Sequence, residues 1–319
     1  MPELAVLDHD TVLAAVSPRA AIEATREAFL RHHRGDWVMP AKVYLQSPPY
    51  GDFRAMPARG GDLALLKWIT SFPGNPEQGL PTVSGVVCLS DARTGVPLAI
   101  LDARAVTALR TGAVAAVATQ ALARAGGRGL GTVGIVGCGL HGAWTARCLA
   151  AAGYDDGVCF DPRTAAAAAL AAELGGWQVG DLKSALACDV VCCVTPGAEV
   201  VVTRDDLRAG QLLNMLGADG SGKAEASVEA VVACELFCDD WAQASHGGEL
   251  TGAVEAGIVT RDQVTTLGAV LAGAAPGRSG PDATTLFDST GLAIQDLAVA
   301  AAALRAARAG EVRAGSVSL

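Results

Sequence analysis

The apolar positions of the chain follow one rhythm up to residue 125 and another beyond it. Leu4 to Leu7 is a short apolar run that predicts a strand. Ala21, Ile22, Ala28 and Phe29 then recur at helical spacing, with Thr25 on the same face. Ser17 suits the N-cap of this helix, Pro18 its first position and Gly35 the turn past its end. Between 37 and 103 the runs shorten to strand length: Val38 to Gln46, Phe53 to Met56, Leu63 to Ser71, Val83 to Leu89 and Pro97 to Leu101. Turn signals separate them at Pro48-Pro49-Tyr50-Gly51, Gly60-Gly61, Pro73-Gly74-Asn75-Pro76 and Asp91 to Gly95, which predicts an antiparallel region. Asp102 to Ala125 predicts a long Ala-rich helix that runs to Gly126-Gly127, read as a hinge.

Beyond it, short β-branched runs alternate with Ala- and Leu-rich helical stretches. Thr132 to Val136 predicts a strand that leads into Gly137-Cys138-Gly139-Leu140-His141-Gly142. A helix over Ala143 to Ala152 stops at Gly153, and a second strand, Val158 to Phe160, ends on Asp161. Strand, glycine turn, helix, strand and acid make the dinucleotide-binding βαβ unit. Gly137 allows the tight turn, Gly139 clears the approach of a pyrophosphate and Gly142 lets the helix pack close to the strand. The helix N-terminus offers unpaired N–H groups and a positive dipole end to the phosphates. Asp161 suits the adenosine ribose hydroxyls, which favours NAD, while Arg163 is able to meet a 2′-phosphate and leaves NADP open.

Further alternation follows, with a helix at Thr164 to Leu174 and strands at Asp189 to Val194, Gln211 to Met215, Ala233 to Cys238 and Thr285 to Phe287. A final helix, Leu292 to Ala309, is expected to return to the first domain. The fold class expected is α/β: a Rossmann-type parallel-sheet domain over 118–291 and an antiparallel α+β domain over 1–117 plus about 292–319. Ligands of open α/β sheets bind beyond the carboxyl ends of the strands. Those ends carry Thr195, Asp219 and Ser289-Thr290.

Composition narrows the function classes. The chain has 319 residues, enough for two domains, and is 51% apolar but only 4% aromatic, which predicts a core of Ala, Val and Leu. A net charge of −9 without any basic run argues against a nucleic-acid partner. The opening MPELAVLDHD is acidic and lacks the pattern of a secretory signal. Arg110, glycines, Asp189 and Pro196 interrupt the long apolar stretches, so no membrane span and a cytoplasmic protein are expected. The nine cysteines lie mostly in apolar runs, form no CxxC pair and do not cluster with the five histidines, which predicts reduced, buried thiols and no metal.

Lys67 in LALLKWIT is either a functional cation or a lysine facing out from an alternating strand. Arg110, alone in an apolar stretch, is either a ligand for a carboxylate or pyrophosphate or half of a structural ion pair. Asp219 in GADGSGK reads first as turn chemistry. Asp239-Asp240 reads as an N-cap pair rather than a metal site, and His141 as packing against a cofactor rather than acting as a base.

Taken in order, Lys67, PGNPEQGLPTVSGVVCLSDARTGVPLAILDARAVTALRTGAVAA, GIVGCGLHG, LLNMLGADGSGKAE and LFDSTGLAIQDLA resemble the ornithine cyclodeaminase/mu-crystallin family. That family includes ornithine and lysine cyclodeaminases, an archaeal type of alanine dehydrogenase, ketimine reductases and opine-type synthases, all using a nicotinamide cofactor at a Cα–N bond. The resemblance implies that Lys67 contacts the substrate carboxylate and serves in proton transfer, and that Asp219 lies near the substrate amine. Thr82 and Arg110 match cofactor contacts, Asp161 the ribose acid, and Thr195, Asn214, Met215, Leu216 and Lys223 further cofactor contacts. Thr290 falls where the family lines its substrate pocket. Leu140 and His141 stand where the family usually has a small residue and glutamine.

Two departures bear on the substrate. Lys42 replaces the arginine that many members use for the substrate carboxylate, keeping the charge without the bidentate fork. Arg54 is a second candidate for that carboxylate. The chain also stops soon after the final helix, where true ornithine cyclodeaminases are longer. The expectation is therefore an NAD(P)-dependent amino-acid dehydrogenase or ketimine reductase acting on a small amino acid or cyclic imine. Ornithine cyclodeaminase is the alternative, and a nicotinamide-dependent binding protein of mu-crystallin type a third. The resemblance also implies that the antiparallel domain binds substrate and forms a homodimer surface.

Overall fold

The computed structural model of the chain describes residues 3–123, 131–197, 199–220 and 222–318. The Gly126-Gly127 hinge expected from the sequence lies outside the described residues. The first elements are β1 (Leu4–Leu7), α1 (His9–Ala15), α2 (Pro18–His33), β2 (Val43–Ser47), β3 (Gly51–Gly60), β4 (Leu63–Ser71), β5 (Val83–Asp91), β6 (Pro97–Asp102) and α3 (Ala103–Leu122). Next come β7 (Val133–Val136), α4 (Leu140–Ala151), β8 (Gly157–Phe160), α5 (Thr164–Leu174), β9 (Gln178–Val179), α6 (Leu182–Leu186) and β10 (Val190–Cys193). Then follow β11 (Leu212–Met215), α7 (Val228–Val231), β12 (Glu235–Cys238), α8 (Trp241–Gly247), α9 (Thr251–Glu255), β13 (Val264–Thr266) and α10 (Leu267–Leu271). The chain closes with β14 (Thr285–Asp288), α11 (Ala293–Arg308) and β15 (Gly315–Val317). It divides into two compact units, one reaching Arg110 and resuming at Leu292, the other running from Thr111 to Gly291.

The first unit is a seven-stranded sheet in the order β15-β1-β6-β5-β4-β3-β2. β1 pairs with β6 in parallel, a departure from the expected antiparallel region, and the other pairs are antiparallel. The helices α2 and α11 pack together, and α11 lies on β3, β4 and β5. Ser17 caps α2 through the Ala20 N–H, as its sequence predicts. In β4, Leu65, Lys67 and Ile69 are buried, whereas Leu66 and Trp68 are exposed. Both faces of the strand therefore carry apolar residues. The register places Val43, Leu45, Phe53, Trp68 and Val86 side by side on the outer face, with Phe53 stacked on Trp68 at 5.5 Å.

The second unit is an all-parallel sheet in the order β13-β12-β14-β11-β10-β7-β8-β9. After β7 the chain moves outward to β8 and β9, then returns to β10 on the other side of β7. The switch point, where such sheets open a crevice, therefore lies between β7 and β10. β14 enters late and separates β11 from β12. Val136, Val191, Leu213, Met215 and Leu286 belong to the core around these strands. Gly112 lets α3 lie against α4, because a Cβ there would overlap the Trp144 carbonyl. By length and composition α3 is able to cross a membrane, yet 89% of its most apolar window is buried inside the protein.

Candidate functional site

The glycine turn lies at the carboxyl end of β7. Gly137 has φ 98°, and a Cβ there would stand 2.6 Å from the Val194 carbonyl oxygen at the end of β10. At Gly142 a Cβ would overlap the Gly137 carbonyl oxygen. Gly139 differs from both. Its backbone is ordinary, with φ −71° and ψ −168°, and a Cβ would meet only an Arg163 guanidinium nitrogen at 4.0 Å. Nothing described in the protein thus requires glycine at 139, and the open space is what a pyrophosphate passing over the turn needs. Gly139 is the N-cap of α4 and provides no side-chain cap, so the helix presents its first N–H groups at the sheet edge. Leu140 and His141 form the first turn of α4 instead of lying in the loop, because the helix starts three residues before the expected Ala143.

Asp161 follows β8 and is nearly buried. Its Oδ2 accepts the Cys138 N–H at 2.9 Å, and its Oδ1 accepts the Arg163 N–H at 2.8 Å and Nε–H at 3.1 Å. Burial raises its pKa, but the bonds from Arg163 and Cys138 outweigh burial and hold it below the usual carboxylate range. Arg163 remains 73% exposed in its side chain while paired to this acid.

The loops after β10 and β11 are tied by a residue the sequence did not single out. Glu225 is wholly buried. Its Oε1 accepts the Thr195 N–H and hydroxyl, both at 2.7 Å, and its Oε2 accepts the N–H groups of Leu216 at 3.2 Å and Gly217 at 2.7 Å. Glu249 in turn accepts the Glu225 and Ala226 N–H groups. Burial and then the Glu225 charge push the Glu249 pKa up to about 8, despite these backbone donors. Asn214 donates its amide to the Thr119 hydroxyl at 2.9 Å, and its side chain, like that of Met215, is wholly buried within the unit. Asp219 accepts Lys223 Nζ at 2.7 Å, so two residues expected in different roles are paired with each other.

Of the Asp239-Asp240 pair, only Asp240 caps a helix, accepting the Gln243 N–H. Asp239 instead accepts the hydroxyls of Ser289 at 3.3 Å and Thr290 at 3.1 Å and the Gly291 N–H at 2.9 Å, fixing the loop after β14.

In the first unit, Lys67 points inward and is 1% exposed. The outward reading of this lysine therefore fails, because the inner register of β4 includes it. Its Nζ donates to Asp296 Oδ1 at 2.9 Å, and Arg110 Nε lies 3.5 Å from the same oxygen. The Lys67 pKa lies at about 8, below its ordinary value: burial lowers it most, Asp296 raises it, and Arg110 and Lys42 lower it. Arg54 shares the inner face, held by Asp52 at 2.6 Å and lying over the Tyr44 ring at 5.4 Å. Thr82 precedes β5, and its carbonyl accepts the Phe72 N–H at 2.8 Å. Asp296 is the second residue that sequence reasoning missed. Its signal was available: one acid in the apolar run LAIQDLAVAAAAL, the same argument that singled out Arg110.

The family model for the ornithine cyclodeaminase/mu-crystallin family matches residues 3–311. The chain belongs to that family. An alanine dehydrogenase of Archaeoglobus fulgidus is 38% identical over 305 residues, 93% of this chain and 93% of the relative. Among solved structures of the family, an archaeal alanine dehydrogenase dimer with bound NAD superposes with a TM-score of 0.93 at 37% identity, covering 100% of both chains. The Δ1-pyrroline-2-carboxylate reductase of Thermococcus litoralis, in complex with NADH and L-proline, superposes with a TM-score of 0.91 at 25% identity, covering 99% of this chain and 100% of that one.

Proposed function

We propose that this chain is an NAD(H)-dependent oxidoreductase acting on the C–N bond of a small amino acid or its imine, as an amino-acid dehydrogenase or ketimine reductase. The observation that carries the reading is the buried Lys67, with Lys42, Arg54 and Arg110 as further cations in its unit, in a chain 38% identical to an alanine dehydrogenase. Lys67 and Arg110 share the single Asp296 carboxylate, and that surplus of cation suits a small carboxylate. The turn over Gly137, Gly139 and Gly142 holds the cofactor pyrophosphate, and Asp161 receives the ribose. An acid at that position repels a 2′-phosphate, which favours NAD over NADP. Thr82, Arg110, Thr195, Leu216 and Lys223 are assigned to the rest of the cofactor. The nicotinamide supplies hydride exchange with the carbon that bears nitrogen. Lys42 and Lys67 hold the substrate carboxylate, Thr290 lines the substrate side, and Asp219 serves the amine.

The uncovered apolar face of β2 to β5 fits a second copy of the chain, so the enzyme is a homodimer in this reading. Nine free thiols, seven of them buried, suit a reducing compartment, and the cytoplasm is proposed.

The test follows near-ultraviolet absorbance of the reduced nicotinamide across small amino acids with NAD⁺ and across 2-oxo acids with ammonia or cyclic imines with NADH. Net absorbance change on one of them is expected. Ammonia release from ornithine without net absorbance change would replace the reading with a cyclodeaminase. Asp219→Asn is expected to lose turnover while still binding NADH, and undiminished activity would remove Asp219 from the chemistry.

A further inference from the structure

The roles assigned above use Lys67 and Arg110 but leave out the acid between them. Asp296 lies in the first turn of α11 and is wholly buried. Its Oδ1 faces both cations, at 2.9 Å from Lys67 Nζ and 3.5 Å from Arg110 Nε. Its Oδ2 is buried without a hydrogen-bond partner among the described residues. An acid at a helix N-terminus is favoured by the helix dipole, so α11 itself supports the charge. Lys67 lies among Met56, Leu65, Ile69 and Val87, all buried on the same sheet. In such surroundings an ammonium releases its proton unless a counter-charge holds it.

We infer that Asp296 is a positioning residue that keeps Lys67 in its ammonium form and aims it, while leaving the cluster a net positive charge for a small carboxylate ligand. The charge count favours this over a plain structural ion pair. One carboxylate faces Lys67 and Arg110 together, and Lys42 is close enough to be felt by Lys67. A purely structural pair needs one cation, whereas this arrangement holds more positive charge than Asp296 neutralises. Lys67 also has two N–H donors beyond the one directed at Asp296. The pKa of Lys67, about 8, lies close enough to neutrality for the neighbouring charge to decide its state. The groups acting on it are Asp296 from α11, which raises it, and Arg110 from α3 and Lys42 before β2, which lower it. The carboxylate half of this inference rests on the oxidoreductase reading; the effect on Lys67 does not.

The experiment labels the full-length enzyme with ¹³C at the lysine Cε and titrates the Lys67 resonance, assigned by its loss in Lys67→Arg. The wild-type inflection is expected near pH 8. In Asp296→Asn, which keeps the volume and an acceptor oxygen, it is expected to fall by at least about one pH unit, and in Asp296→Glu to stay near the wild-type value. An inflection unmoved in Asp296→Asn overturns the inference. So does a wild-type inflection below neutrality, a result that stands even if the variant does not fold. The second arm measures the Kd for pyruvate against pH through quenching of NADH fluorescence. Its basic limb is expected to move acidic with the Lys67 inflection, and a limb that stays put while the inflection moves overturns the carboxylate half. If pyruvate binds no version of the protein while NADH binds all of them, the functional reading fails separately, and the resonance still decides the role of Asp296.

Discussion

Gly139→Ala separates what the protein needs from what its ligand needs. The backbone at 139, φ −71° and ψ −168°, is one that alanine adopts without strain, and among the described residues the added Cβ touches nothing closer than Arg163 at 4.0 Å. Restricting the unfolded chain stabilises by about 0.4–1 kcal/mol. Alanine is a poorer N-cap than glycine by a similar amount, so the two effects offset to within roughly 0.5 kcal/mol. Tm is therefore expected to move by no more than about 2 °C. The ligand fares differently, because the methyl occupies the space over the turn. Overpacking of about 1–3 kcal/mol corresponds to a roughly 5- to 150-fold weaker Kd for NADH. The assay pairs a fluorescence titration of NADH with a thermal melt. Gly142→Ala is the control, since its Cβ would overlap the Gly137 carbonyl and should lower Tm itself. If Gly139→Ala binds NADH as the wild type does, the pyrophosphate does not cross this turn and the reasoning fails.

The Glu249 carboxyl, with a folded pKa of about 8 against an ordinary 4.5, stays protonated in the fold over a range where the unfolded chain loses its proton. Its stability contribution is therefore full below about pH 4.5 and declines as pH rises toward 8, by at most about 1.4 kcal/mol per pH unit. Glu249→Gln should remove that part of the slope in Tm against pH, and an unchanged slope would assign the titration elsewhere. On the outer face of the first unit, Trp68→Asp should weaken self-association by about 30-fold or more, the effect of losing a central aromatic contact worth about 2 kcal/mol. Sedimentation equilibrium reads this directly, and a variant that associates as tightly as the wild type would move the interface to another surface.

The elements legible in the sequence were those whose signals are local. Leu63–Ser71 and Thr164–Leu174 form at their expected bounds, because each has its period and its breakers within one short window. The strand expected from Val38 begins at Val43, since Pro40 cannot donate to a ladder, and Val38 makes only an isolated bridge to Arg59. β3 runs past Met56 to Gly60 although it contains Pro57. Its ladder with β2 ends at Ala55, so one side of β3 is open where the proline falls. The short helices α1 and α6 to α10, four to seven residues each, are too brief to display a helical period.

The same distinction runs through the candidate site. The glycine turn and Asp161 were readable because one βαβ unit brings them together, and the partners of Asp161 lie 2 and 23 residues away. Lys67 was ambiguous because its meaning depends on Asp296, 229 residues away on α11. Glu225 gave no signal because its four donors are split between the loop after β10 and the loop after β11, with Thr195 30 residues away. Glu225 and Asp296, which were missed, and Asp239, whose role was misread, share a chemistry as well as a distance. Glu225, Asp239 and Asp296 are buried carboxylates that accept bonds from residues the motifs had already named: Thr195, Leu216, Thr290 and Lys67. A loop at the open end of a parallel sheet has N–H groups that no strand pairs, and a buried carboxylate is able to satisfy several of them at once. Burial of Glu225 and Asp239 is therefore tied to holding their loops in one conformation. Replacing such an acid with an apolar residue would leave those donors unsatisfied and release the loop that bears the candidate contact.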